Sequence, residues 1–189
     1  MKKIVFLTLF FMPGLNLPAQ QKIRFSTDNS LGLLVGASGQ APVIQTINGV
    51  SFGRWFTGIG TGLDWYHTRS IPLFFHTARY FPLQERRKLV FSSGIGLNFP
   101  WIGQGMRNGG WGSTDWKYDT GLYWNAGFGY RFPVGKNRDG FLLQLGFNQK
   151  VHKEEVTVVY PCFVPPCPES REAFRYTLRS LALRFGWGF

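Results

Sequence analysis

Three sets of side chains in this chain of 189 residues have types that could do chemistry. Cys162 and Cys167, in the segment CFVPPC, are its two cysteines. The four residues between them do not match the two of a redox C-x-x-C pair. Two thiols, with His152 the nearest imidazole, also fall short of a metal's ligand set. A disulfide closing a small loop in an oxidising compartment is therefore the expected use. The three histidines, His67, His76 and His152, are the available general bases. Ser92 and Ser93 could serve His76 as nucleophiles if strand register sets them alongside; otherwise His76 is an ordinary hydrogen-bonded imidazole inside the fold. The third set, Asp64, Asp119, Arg131 and Arg184, reads as an inward network whose buried charges must be paired. No catalytic residue, cofactor or metal is assigned.

The elements that must carry these residues are strands. In residues 175–189 (RYTLRSLALRFGWGF) every second position back from Phe189 is apolar: Trp187, Phe185, Leu183 and Leu181. The alternate positions, Gly188, Gly186, Arg184, Ala182 and Ser180, are small or polar. Such a strand suits a barrel wall that meets lipid outside and a packed polar lumen inside. Residues 55–66 repeat the pattern, with Trp55, Ile59, Leu63 and Trp65 against Gly58, Gly60, Gly62 and Asp64. Trp55 and Trp65 then lie ~25 Å apart along the membrane normal, the height between two aromatic girdles. A soluble sandwich would show charge, not glycine, on the second face, and a lipocalin-like carrier would turn the aromatic faces inward.

Further strands are expected over residues 30–37, 43–52, 71–81, 88–99, 118–132 and 141–152. The fourth, 71–81, has an ambiguous facing. Gly53-Arg54 is the Gly-X pair of a two-residue II′ hairpin and the tightest turn. Residues 38–42, 67–70, 82–87 and 133–140 read as short connections, and 101–117 and 153–173 as long loops. About eight strands place both ends of the chain on one side. An all-β fold follows: a single closed antiparallel up-and-down transmembrane β-barrel over residues 20–189, with residues 1–19 a cleaved signal peptide, Lys2 and Lys3 preceding a short apolar run. That run is too short for a spanning helix, which needs about 20 apolar residues.

Without Lys2 and Lys3 the 21 basic residues fall to 19 against 10 acidic ones, a net charge of +9. An exported chain meets no nucleic acid, so the excess either meets anionic lipid headgroups and lipopolysaccharide phosphates or, as an equal alternative, only keeps the chain soluble and the lumen balanced. Arg69, Arg107, Lys117, Lys150, Lys153, Arg171 and Arg175 all fall in or beside the connections assigned to the outer face.

The final strand, ending Phe185, Trp187, Phe189, resembles the C-terminal strand that the barrel assembly machinery of outer-membrane proteins reads as a signal. The whole pattern resembles the eight-stranded bacterial outer-membrane barrels, the OmpA-like and OmpX-like group. That resemblance is one of architecture. It implies a bacterial outer-membrane location, a structural role or one of binding through the surface loops, and partners among outer-membrane lipids, lipopolysaccharide and a protein reached through the loops. The alternative is a lipid-modifying hydrolase, because His76-Thr77-Ala78 faintly resembles the His-x-Ser element of lipid A deacylases. Neither Thr77 nor Ala78 is the serine. The discriminator is a His-Ser pair within hydrogen-bond reach near the outer rim.

Overall fold

The computed structural model describes residues 22–83, 87–102, 113–134, 140–160 and 169–189, and every element among them is a β-strand. Their order is β1 (Arg24–Gly36), β2 (Gly39–Phe52), β3 (Trp55–Asp64), β4 (Ser70–Pro82), β5 (Lys88–Pro100), β6 (Ser113–Asp119), β7 (Gly121–Pro133), β8 (Gly140–Val159) and β9 (Glu169–Gly188). Antiparallel pairing runs β1 to β5, then β7, β8 and β9, and β9 returns to β1 between Asp28↔Gly188 and Gly36↔Ser180. Eight strands thus close a barrel without a free edge. The register also staggers: the row through Leu31 crosses Phe185, Leu143, Tyr130 and Leu89 and reaches Phe81, at the far end of β4. Strands in a closed barrel must tilt in this way.

Alternation decides which way each side chain points. Leu183, Leu145 and Phe128 are 53%, 62% and 70% exposed, whereas Phe56, Phe74 and Tyr123 are buried in the lumen. Trp55, Leu143, Phe185 and Trp187 are exposed on the outer wall, Leu63 is half-buried, and Trp124 lies half-buried against Phe147 on the outside, ring centroids 5.3 Å apart. The outer face of the wall is therefore apolar, as a lipid-facing barrel surface is. On β4 the facing is now definite, with Leu73 and Phe75 outward and Phe74, His76 and Tyr80 inward.

The lumen is not the purely polar interior expected. Ile47, Phe56, Phe74, Ala78, Tyr80, Val90 and Tyr123 form one apolar cluster, and Leu34, Ala41, Val43, Tyr66, Leu178 and Ala182 another. Gly60 and Gly94 flank the Phe74 ring, and a Cβ on either would strike it. Glycine on the inward face is what admits large rings into so narrow a barrel.

Two connections hold just two residues. At 53–54, Gly53 takes φ +57° while Arg54 is not left-handed, as a II′ turn requires. The expected loop over 38–42 is instead a turn at 37–38 followed by Gly39 at φ +98°, and Pro42 already pairs with Leu33. The turn at 53–54 is accordingly not tighter than the one at 37–38.

The larger departure lies at the opposite end from Phe189. β8 and β9 pair over twenty residues each, from Gly140↔Gly188 to Val159↔Glu169. Wall pairing stops earlier, at Lys150 for β7 with β8 and at Ser180 for β1 with β9. Beyond that rim β6 joins β8, giving a three-stranded extension, so most of the expected loop over 153–173, and the last residues of 101–117, are strand. β6 and β7 are one strand broken by a β-bulge. Asp119 pairs with Lys153 and Tyr123 with Lys150, so the β6–β7 side carries one extra residue around Thr120.

Candidate functional site

The barrel wall holds polar side chains in three inward tiers, with a ring cluster and the extension above them. At the end bearing Phe189, Arg131 of β7 donates through Nη1 to Asp28 Oδ1 at 3.3 Å and to the Tyr80 hydroxyl at 3.2 Å. Tyr80 donates to Asp28 Oδ2 at 3.5 Å, and the Arg131 guanidinium lies 5.7 Å from its ring centroid. This tier lies nearest the lower mouth. In the middle tier Gln144 Nε2 donates to Ser92 Oγ at 2.6 Å, Gln45 and Asn125 donate to Tyr123 at 2.9 and 3.1 Å, and Arg184 Nη2 donates to Asn148 Oδ1 at 2.6 Å. The upper tier centres on Lys150, whose ammonium donates to Asp64 Oδ1 and Ser70 Oγ, both at 3.0 Å, and to the Thr68 carbonyl at 3.1 Å.

The expected network is therefore three separate clusters rather than one. Asp64, Arg131 and Arg184 each sit in a different tier, and Asp119 joins none of them: it is exposed at the end of β6. The bulge around Thr120 explains Asp119, because one inserted residue reverses the facing of everything before it. Lys150, expected on the outer face, is buried. Reading by alternation also missed Asp28 and Tyr80. No local pattern marked them, because Asp28 precedes the period-two stretch of β1 and its partners come from β4 and β7.

Above the rim, His67 and His152 meet with ring centroids 6.2 Å apart, and Tyr176 lies against both. His67 is held at φ +62°, an uncommon conformation for a residue with a side chain. His152 is buried, with Nε2 3.7 Å from Glu154 Oε2 and its ring packed on Tyr118. Burial pushes the His152 imidazole below the ordinary histidine range, while Glu154 pulls the other way and His67 and Lys150 add to the lowering. On the extension Phe174, Tyr176 and Tyr160 are exposed, and Arg171 pairs with Glu169 at 3.1 Å in solvent. At the rim Arg69 stacks on Trp101, 5.6 Å from the ring centroid.

Of the proposed girdle residues, Trp55 opens β3 and Trp65 follows its last residue: Trp55 is exposed under the Arg79 guanidinium at 5.2 Å, and Trp65 packs against the upper apolar cluster. Phe189 is exposed and exchanges backbone hydrogen bonds with Thr27 at 2.9 and 3.1 Å, so it finishes the seam. Phe185 and Trp187 face outward beside it. Cys162, Cys167, Arg107 and residues 1–19 lie outside the described residues.

His76 is buried in the lumen, with Phe56 and Phe74 around its ring. Ser92 is engaged by Gln144, and His76 Nδ1 has no hydrogen-bond partner. The two do not form the pair a hydrolase would need. Among the described residues no group of three or more His, Cys, Asp or Glu is placed to hold a metal.

No family model and no curated protein matches the sequence. Among solved structures the chain is similar to the solid-state NMR structure of outer membrane protein AlkL in DMPC lipid bilayers, at 14% identity over 90% of each chain with a TM-score of 0.47.

Proposed function

We propose that this protein is a small barrel of the bacterial outer membrane whose work is done at its outer rim, as a surface-docking and membrane-anchoring element. The observation that carries this reading is the three-stranded extension. A barrel needs only enough strand to cross the bilayer, about ten residues, yet β8 and β9 each continue well beyond the wall and recruit β6. The extension exposes Phe174 and Tyr176 among charged neighbours, a surface suited to a protein partner. Three filled tiers beneath it favour an anchor over a channel. In this reading Arg69, Lys117, Lys153, Arg171 and Arg175 face lipopolysaccharide phosphates, and the Phe189 strand is what the assembly machinery receives.

The test uses a photo-crosslinking residue at Tyr176 in intact cells, with Leu183 on the wall as the control position. A discrete protein adduct at Tyr176 that is absent at Leu183, and that disappears when the extension is shortened, supports docking. Lipid adducts alone at both positions, with unchanged cell-surface behaviour after shortening, would remove it.

A further inference from the structure

Arg184 is an inward cation of the barrel wall with no carboxylate at ion-pair distance. Arg131 has Asp28 and Lys150 has Asp64. Arg184, 4% exposed on β9, has only the neutral oxygen of Asn148, and its Nε is buried with no hydrogen-bond partner. A guanidinium removed from water with neither counter-charge nor full hydrogen bonding is costly. Something must compensate it.

The room for a compensating group is beside it. Arg184, His76, Ser92, Gln144, Asn125 and Ser30 border a mid-lumen cavity of about 20 Å³, the space one water-sized sphere needs. A donor and unpartnered polar nitrogens lie beside the Arg184 charge. Ser92 Oγ already accepts from Gln144, which leaves the hydroxyl proton to be donated. His76 Nδ1 is unpartnered, as is Nδ2 of the Asn148 that accepts from Arg184. Asp28 also borders the cavity, but its carboxylate is held by Arg131 and Tyr80. A buried positive charge, a hydroxyl proton free to donate and a volume for one small particle occur together.

We infer that this cavity binds a single small monovalent anion, of which chloride is the representative, with Arg184 as its counter-charge and Ser92 as a hydrogen-bond donor. The anion neutralises the middle tier and braces β9 against β4, β5 and β8. Gluconate, also monovalent, is far too large to enter.

The test refolds the barrel into phosphatidylcholine vesicles and follows the midpoint of its heat-modifiable gel mobility while sodium chloride replaces sodium gluconate at constant ionic strength. The expected result is a saturable rise of roughly 5 °C. Arg184→Gln abolishes the rise, whereas Lys150→Gln, in the upper tier, lowers the midpoint but keeps it. Should Arg184→Gln not fold, crystals of the unsubstituted protein in sodium bromide decide the matter by an anomalous peak within hydrogen-bond distance of Arg184. Identical midpoints in chloride and gluconate, a rise that persists in Arg184→Gln, or the absence of a bromide peak would each overturn the inference and leave the cavity to water.

Discussion

Lys150 has given up water for three acceptors, so the ammonium is tolerated only while Asp64 stays opposite it. Lys150→Met should cost about 3 kcal/mol or more, because it strands a buried carboxylate. Adding Asp64→Asn should recover part of the loss, since the amide oxygen can still accept from the Tyr66 N–H. Urea unfolding from neutral vesicles measures both, and a double variant no better than the single one would show that the pair is not coupled. His152 yields a second test at this scale. Its imidazole titrates lower in the folded barrel than the ordinary value of 6.5. The unfolded chain therefore takes up a proton first as the pH falls. Stability is full above about 6.5 and is lost between there and the lowered folded value. His152→Gln should flatten this acid slope in pH-dependent unfolding, and an unchanged slope would assign it to other groups.

At the scale of elements, β9 is held on the wall by β8 on one side and β1 on the other, and Phe189 adds the last two backbone bonds of the seam. Removing Phe189 should slow or reduce barrel assembly while export across the inner membrane continues, a difference that heat-modifiable mobility in cell fractions would show. Undiminished insertion would make the terminal ring incidental. The strands legible in the sequence were those with lipid on one face and packed lumen on the other, as in β3 and β9, because only such a wall imposes a strict period of two. The start of β1 was hidden because its outward Asn29 is polar and satisfied by Thr46 at 2.9 Å. The extension was hidden for a different reason: both faces of ESREAF meet water, so nothing enforces alternation. Lys150 and Asp64, 86 residues apart, meet only through a register that no local pattern encodes. The inward placement of Arg131 and Arg184 was legible, but their partners were not.

For the molecule as a whole, the two apolar clusters and three polar tiers fill the lumen from the Asp28 level to the rim. Reconstitution into planar bilayers should give no sustained ohmic conductance, and steady porin-like steps would contradict the filled interior. The outer face has its own test. Reversing Arg171 and Arg175 to Glu should lower barrel stability in lipopolysaccharide-containing bilayers and leave it unchanged in neutral detergent, with the difference fading at high salt. Equal losses in both media would place their role within the protein.

The unequal lengths of the two pairings made by β9 also order the events of folding. Its pairing with β8 spans all twenty residues and joins segments close together in sequence, whereas its pairing with β1 covers nine positions between opposite ends of the chain. Closing the longer loop carries the greater entropic cost and comes after local contacts have formed. The β8–β9 hairpin therefore assembles early, and the β1–β9 seam zips last and opens first. In hydrogen exchange, amide protons shared by β1 and β9 should be lost to solvent before those shared by β8 and β9 within the wall.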